Sequence, residues 1–121
     1  GVTAYCDANL MQTAVENLVN NGIKYTPQGG LVTVSARAGS DGVEIVVRDT
    51  GIGIPEKDQI HIFDRFYRVD KARARQTGGT GLGLSIVDTI VKLHEGKVTV
   101  ESQEGKGSTF IIWIPGRREG L

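Results

Sequence analysis

Glycine is concentrated in one short stretch of this sequence, directly before an apolar run with the spacing of a helix. Four glycines lie within residues 78–83. Glycine lets the backbone adopt positive φ and allows another group to come very close. A helix that begins there directs its unpaired N–H groups and the positive end of its dipole outward, which is how proteins hold phosphate. From these residues alone, a phosphate site and a hinge before a core helix both remain open.

A carboxylate at a strand end is a second group that could contact a ligand. Asp49 ends an alternating apolar segment, and Gly51 and Gly53 follow it. These glycines would let the backbone approach a bound molecule. Pro55 suits the first turn of a short helix after that loop.

Asparagine is dense on the first predicted helix. Asn17, Asn21 and Lys24 recur at i, i+4 and i+7, which places them on one side of that helix. We expect this side to lie nearly opposite the apolar side, which carries Met11 and Leu18. Asparagine is a poor residue for a helix interior, so these amides need either solvent or a polar partner.

A basic stretch lies between the Asp49 segment and the glycine-rich stretch at 78–83. Arginine and lysine dominate residues 65–75, and no apolar period survives from about 69 to 79. A long loop of this kind inside a compact domain is often functional. A solvated loop and a contact with nucleic acid are the alternatives.

Composition and missing motifs exclude several classes. The 121 residues fit one domain, and 14 basic against 14 acidic side chains give no general attraction to nucleic acid or a membrane surface. The single Cys6 cannot form an internal disulfide, which indicates a reducing compartment. Neither a P-loop, nor a dinucleotide fingerprint, nor a Cys/His metal cluster occurs. Because the sequence begins at glycine without methionine, we interpret it as a fragment of a longer protein.

The elements that must position these groups alternate between helices and hairpins. Periodicity and turn residues predict, in order, a strand at 2–6, a helix from Ala8 to about Lys24, a hairpin over 32–38 and 43–49, a short helix after Pro55, a helix from about Leu82 to His94 ended by Gly96, a hairpin over 98–101 and 110–114, and a frayed tail at 117–121. Hairpins require antiparallel neighbours. We therefore expect an α+β fold: a two-layer sandwich whose mixed, mostly antiparallel sheet is covered on one face by helices.

Four motifs in this order resemble those of the ATP-binding catalytic domain of bacterial sensor histidine kinases, within the Bergerat-fold (GHKL) ATPase superfamily. In chain order they are an N box at 17–25, a G1 box at 49–53, an F box at 62–68 and a G2 box at 79–84, with a further glycine motif at 107–110. The resemblance covers nearly the whole chain. It implies a single catalytic and ATP-binding domain over 1–121, with a lid loop over about 66–80.

The resemblance also implies a role for each motif residue in binding Mg-ATP. Asn21 would coordinate Mg²⁺, Asn17 would support it one turn earlier, and Lys24 would meet phosphate. Asp49 would accept a hydrogen bond from the adenine amine, and Arg68 would reach the γ-phosphate from the lid. The other cofactor-binding residues would be Tyr25, Gly51, Gly53 and Ile54 around the base, and Gly79, Thr80, Gly81, Leu82, Gly83 and Leu84 around the phosphates.

The implied activity is that of a protein histidine kinase in two-component signal transduction. This fragment would be its catalytic half, which donates the γ-phosphoryl group of ATP to a histidine on a separate dimerising helical hairpin of the same parent protein. A response regulator would act downstream. His61 and His94 lack the surroundings of such an acceptor, so we expect them to be structural or solvated. We expect a monomeric cytoplasmic fragment, without contacts to nucleic acid or membrane, from a homodimeric sensor of the bacterial inner membrane.

Residue 17 separates a kinase from a hydrolase within this superfamily. The hydrolases of the superfamily carry a glutamate there, which activates water. Here Asn17 takes that position, and its amide cannot act as a base at neutral pH. Glu16 lies about 100° around the helix and is directed elsewhere. The remaining alternatives are a serine kinase or ATPase of the same superfamily, a nucleotide-binding regulatory module without catalysis, and nucleic-acid binding by the basic loop.

Overall fold

The structure is a computed structural model that describes residues 2–3, 6–39, 41–65, 67 and 83–118. Its elements are β1 (Val2–Thr3), α1 (Ala8–Tyr25), β2 (Val32–Ala38), β3 (Gly42–Asp49), α2 (Glu56–Gln59), α3 (Gly83–Leu93), β4 (Lys97–Gln103), β5 (Gly107–Pro115) and β6 (Arg117–Arg118). Among the described residues, no helix has the length and apolar character that crossing a bilayer requires.

Four strands form one sheet in the order β2-β3-β5-β4. The register of the two central strands pairs Val47 with Phe110 and Asp49 with Ser108. The end of β3 therefore lies beside the start of β5, where the two hairpins meet. The predicted α+β sandwich is confirmed. A mixed, mostly antiparallel sheet was expected, but every strand pair within the described ranges is antiparallel, as a hairpin connection requires for β2–β3 and β4–β5.

The two long helices lie side by side in opposite directions and share a core with one face of the sheet. The backbone N–H of Asp7, before α1, donates to His94 just after α3, whereas a Cβ added to Gly83, at the start of α3, would lie 3.9 Å from Asn17 Oδ1. Between them, the helices and strands bury Met11, Ala14, Leu18, Val47, Ile62, Val87, Ile90, Val91, Phe110, Ile112 and Ile114. Burial of this apolar set is the main force that holds the helix pair against the sheet.

Both ends of the chain depart from prediction. The structure describes a strand at Val2–Thr3 and none at Cys6, and the predicted frayed tail is wrong for Arg117–Arg118, which form β6. The two short strands pair antiparallel, Val2 with Arg118 and Thr3 with Arg117. Each strand provides hydrogen-bond partners for the backbone of the other. The sequence of either segment alone therefore does not predict the pairing.

The end of α3 also differs from prediction by one residue. Gly96 was predicted to end the helix, but Glu95 is the residue that adopts the left-handed conformation typical of a helix end (φ 60°). The N–H groups of Gly96 and Glu95 bond the carbonyl groups of Val91 and Lys92, at 2.9 and 3.0 Å, which is a Schellman motif. Glycine is needed at position 96 because a Cβ there would overlap the carbonyl oxygen of Trp113 on β5.

The buried side of α3 covers only part of its apolar residues. Ile86 and Leu93 follow the apolar period of the helix but are 39% and 69% exposed, whereas Val91 is fully buried. Periodicity alone fixes an apolar stripe only to within about one residue position around the helix, and packing against α1 and β4 selects its centre.

Candidate functional site

Asp49 is the last residue of β3 and one of three buried polar or charged residues in the described part of the chain, with 6% exposure. Its Oδ1 accepts hydrogen bonds from the backbone N–H groups of Gly51, at 2.9 Å, and Ser108, at 3.2 Å. No residue in the described part of the chain donates to the other carboxylate oxygen. One oxygen is therefore fixed by protein, and Oδ2 is left to accept from an amine or hydroxyl of a ligand.

The loop after Asp49 passes between the end of α1 and the turn that joins β4 to β5. A Cβ on Gly51 would overlap the carbonyl oxygen of Tyr25, and one on Gly53, whose φ is 74°, would overlap that of Gln103. From the sequence, we predict that these glycines allow the backbone to approach a ligand. The close approach of the protein's own backbone already requires both of them.

A cluster of hydroxyl and amide groups fastens this loop to the sheet. Ser102 Oγ lies 2.8 Å from the N–H nitrogen of Ile54, 2.9 Å from the carbonyl oxygen of Gly107 and 2.7 Å from Ser108 Oγ. Gln59 Nε2, from α2, donates to the carbonyl oxygens of Ile54, at 2.9 Å, and Ser102, at 3.1 Å. Both sides of the loop are thus tied to neighbouring elements.

Sequence reasoning missed Ser102 and Gln59 as site residues. A local feature of the pattern could have drawn attention to Ser102. Along β4, the positions on the core side carry Val98 and Val100, and Ser102 then replaces the expected apolar residue. A hydroxyl at a core-facing strand position needs a hydrogen-bond partner, so it predicts a local network without identifying the partners.

Thr26 carries a buried hydroxyl beside this loop. Its Oγ1 has no hydrogen-bond partner among the described residues. It would lie 3.0 Å from a Cβ on Gly51, which would also lie 2.9 Å from Asp49 Oδ1. The neighbouring Tyr25 is half-buried, and its carbonyl oxygen accepts from the N–H of Ile52 at 3.1 Å. The unpartnered hydroxyl and the free oxygen of Asp49 are two polar groups near the same backbone position.

The amides of α1 border the buried side of the helix, not the opposite side as predicted. The buried stripe includes Ala14, which shifts its centre toward Asn17 and Asn21 and leaves both amides half-buried. Neither amide has a hydrogen-bond partner among the described residues, and Lys24, one turn further, is exposed. Gly83, the first residue of α3, lies next to Asn17. Asn17, on the amide-bearing side of α1, therefore lies close to the N-terminus of α3.

The remaining predicted residues divide between the described and undescribed parts of the chain. Ile54 and Leu84 are half-buried and pack against the core. Arg68, Gly79, Thr80, Gly81 and Leu82 lie outside the described residues, as does the predicted lid loop except Tyr67. The Tyr67 hydroxyl donates to the buried Asp58, and this hydrogen bond raises the pKa of Tyr67 above its ordinary value.

Both histidines have partners within the domain. His94 Nε2 accepts from the N–H of Asp7 at 2.9 Å, so the proton is on Nδ1, which donates to the carbonyl oxygen of Ile90 at 2.8 Å. His61 lies on the surface, where its Nδ1 is 3.1 Å from Asp64 Oδ2. These contacts agree with the expectation that the two side chains are structural or solvated.

The family described as histidine kinase-, DNA gyrase B- and HSP90-like ATPases matches residues 6–118. The chain belongs to this family. The predicted resemblance to the catalytic ATP-binding domain of sensor histidine kinases is thereby confirmed.

Individual histidine kinases of this family are similar over most of the chain. The sensor-like histidine kinase SenX3 of Mycolicibacterium smegmatis is 51% identical over 109 residues, which are 90% of this chain and 28% of that protein. The structure of the mycobacterial sensor histidine kinase MprB is 35% identical, with a TM-score of 0.83, and the match covers 96% of this chain and 78% of that one. Full-length ShkA is 29% identical, with a TM-score of 0.81, over 100% of this chain and 24% of that one. The chain thus spans about a quarter of the length of SenX3, one of the curated relatives it matches.

Proposed function

We propose that this chain binds Mg-ATP and, as the catalytic half of a sensor histidine kinase, donates the γ-phosphoryl group to a histidine on a separate domain. The observation that carries this proposal is the proximity of Asn17 to the first residue of α3, Gly83, on which an added Cβ would lie 3.9 Å from Asn17 Oδ1. It brings an amide-bearing helix side next to a helix N-terminus, although the two are far apart in sequence. Helix N-termini bind phosphate, and amide oxygens bind hard cations.

The base would bind at the other end of the site, beside Asp49. Its free carboxylate oxygen would accept a hydrogen bond from the exocyclic amine of adenine, and the unpartnered Thr26 hydroxyl is a second polar group beside the same loop. Tyr25, Gly51, Gly53 and Ile54 would line this end. The structure of full-length ShkA was solved in complex with AMPPNP, an analogue of ATP, which supports an adenine nucleotide as the ligand of this chain.

The amides of α1 fit a magnesium ion that arrives with the nucleotide. Mg²⁺ takes oxygen ligands, keeps several waters and is commonly held by one or two protein groups together with substrate phosphates. Asn21 would supply one amide oxygen, with Asn17 in support, and Lys24 would meet phosphate. Within the described ranges, no group of three or more His, Cys, Asp or Glu side chains is placed to hold a metal without the nucleotide. When bound, the ion would neutralise charge on the phosphates during transfer.

The acceptor histidine and the downstream partners belong to the proposal as well. The phosphoacceptor would be a helical hairpin of the same parent protein, and the phosphoryl group would pass on to a response regulator. We expect this chain to be monomeric and cytoplasmic, and its parent to be a homodimeric bacterial membrane sensor. Arg68 and residues 79–84 would meet the phosphates.

Calorimetric titration with ATP, with and without Mg²⁺, tests the binding part of the proposal. We expect one ATP per chain and an affinity at least about tenfold higher with Mg²⁺, because the ion links the amides of α1 to the phosphates. Absence of ATP binding under both conditions would contradict the proposal.

Transfer of radiolabelled γ-phosphate tests the kinase part. The chain alone should turn over ATP slowly, and label should appear on protein only when the helical hairpin of the parent is added. A regulatory module without catalysis would bind ATP but leave the hairpin unlabelled.

Glu16 separates the kinase from a hydrolase. Its carboxylate is exposed and accepts from Gln12 Nε2 at 2.9 Å, so it is engaged on the outer side of α1. Glu16→Ala should therefore leave ATP binding and turnover unchanged. Rapid ATP hydrolysis by the chain alone that this substitution removes would favour the hydrolase.

A further inference from the structure

Ser102 Oγ contacts three polar groups, and only one arrangement of protons satisfies all of them. The hydroxyl has one proton, which goes to the carbonyl oxygen of Gly107 at 2.9 Å. Its oxygen then accepts from the N–H of Ile54 at 2.8 Å and from the hydroxyl of Ser108 at 2.7 Å. Ser102 thus joins the loop after β3 to the start of β5 through one atom in a partly buried place.

The same two neighbours determine where the Asp49 carboxylate lies. Ser108 donates its backbone N–H to Asp49 Oδ1, and Ile54 ends the loop whose Gly51 N–H donates to the same oxygen. Gln59 holds the other side of this loop through the carbonyl oxygen of Ile54. Movement of either neighbour would change the direction of the free carboxylate oxygen.

We propose that Ser102 is a positioning residue for recognition of the base: its hydroxyl fixes Ile54 and Ser108 so that Asp49 Oδ2 meets the exocyclic amine of adenine. This inference rests on the proposed function. Ser102 does not touch the nucleotide in this proposal and acts only through the Asp49 carboxylate. The expected consequence is therefore a loss of selectivity for the amine, in addition to any loss of overall affinity.

Two nucleotides that differ only in that amine provide the test. Calorimetry measures the dissociation constants of Mg-ATP and of the triphosphate of purine riboside, which lacks the amine. We expect the unmodified chain to prefer ATP about tenfold, the value of one well-placed hydrogen bond to a charged group. Ser102→Ala should reduce this preference to about twofold or less. Ser102→Thr retains the hydroxyl and should restore it, and Ser35→Ala, at an exposed position of β2, is the matched control.

Each outcome decides between positioning and mere structural support. If Ser102→Ala weakens both nucleotides equally, or leaves the preference unchanged, Ser102 does not position the carboxylate. If circular dichroism shows that this variant is unfolded, Gln59→Met takes its place, because it removes both donors that hold the loop from α2. Its preference should fall as well, and an unchanged preference would overturn the inference. Failure of the unmodified chain to bind either nucleotide would instead defeat the proposed function itself.

Discussion

On the side of Asp49, nearly every polar group already has a protein partner, whereas the amides of Asn17 and Asn21 have none among the described residues. The side proposed to bind the base (the base side) consists of Asp49, the loop to Ile54 and the turn between β4 and β5, held by backbone and hydroxyl hydrogen bonds. The side proposed to bind the phosphates (the phosphate side) consists of the two α1 amides and the start of α3, where Asn17 lies close to Gly83. The two sides differ in how much of their geometry exists before any ligand binds.

This difference has a physical consequence for binding. Groups that are fixed in advance lose little entropy when a ligand arrives, so under the proposed function the base side would discriminate between bases by the direction of one carboxylate oxygen. On the phosphate side, the two amides have no protein partner among the described residues, and a magnesium ion bound with the phosphates would supply one. Substitutions on the base side should therefore change folding stability and binding, whereas those on the phosphate side should change binding alone.

Asp49→Ala should have the largest effect because it removes the acceptor for two backbone N–H groups. Leaving both donors unsatisfied lowers the free energy of unfolding by about 3 kcal/mol, and ATP affinity should fall at least about 100-fold. Urea denaturation and calorimetry measure the two effects. Asp49→Asn is the control: it keeps one acceptor oxygen and should lose ATP affinity while remaining within about 1 kcal/mol of the unmodified stability. Unchanged binding by the asparagine variant would contradict the assigned role of the second oxygen.

Gly107→Ala should be the next largest, and Gly105→Ala isolates its cause. Both glycines have positive φ, of 95° and 80°, which costs a side chain about 1 kcal/mol. Only a Cβ on Gly107 would also overlap the carbonyl oxygen of Asp49, since nothing lies within 4 Å of one on Gly105. We expect losses of about 3 and 1 kcal/mol in the free energy of unfolding. Equal losses in the two variants would mean that the close approach of Gly107 to the Asp49 carbonyl oxygen does not affect stability.

The strands and the first long helix could be predicted from the sequence, because residue periodicity and helix capping depend only on neighbouring residues. The alternation of apolar and polar residues predicts the strands. It also predicts that a strand ends at Asp49, and this prediction does not depend on which strands become its neighbours. The helix containing Asn17 and Asn21 follows from its apolar period and from Asp7, whose Oδ1 accepts from the N–H of Leu10 at 3.0 Å as an N-cap.

What local rules cannot supply is contact between distant segments. The pairing of Val2–Thr3 with Arg117–Arg118, the direction of the α1 amides and the partners of Ser102 all depend on which elements become neighbours. Ala14 illustrates the limit, because a small residue is a weak indicator of burial in a sequence, yet it is fully buried and shifts the centre of the buried stripe.

Asn21→Ala should weaken Mg-ATP binding without weakening the fold. Loss of a ligand to the ion lowers affinity about 100-fold, whereas an amide without a protein partner contributes less than about 0.5 kcal/mol to stability. Calorimetry with Mg²⁺ and urea denaturation provide the comparison. Asn20→Ala, at an exposed position of the same helix, should change neither quantity. If Asn21→Ala lost stability as Asp49→Ala does, the contrast between the two sides would be wrong.

His94→Ala should have the smallest effect. It weakens the attachment of α3 to α1, the helix that carries both amides. The side chain joins the start of α1 to the end of α3 through its bonds with Asp7 and Ile90, so its loss should lower the free energy of unfolding by about 1 kcal/mol. His61→Ala, at an exposed position, should change it by less than about 0.5 kcal/mol. Because the same two helices carry Asn17, near the middle of α1, and Gly83, at the start of α3, Mg-ATP affinity should fall slightly in the His94 variant alone. A loss of affinity without any loss of stability would instead mean that His94 acts on the nucleotide directly.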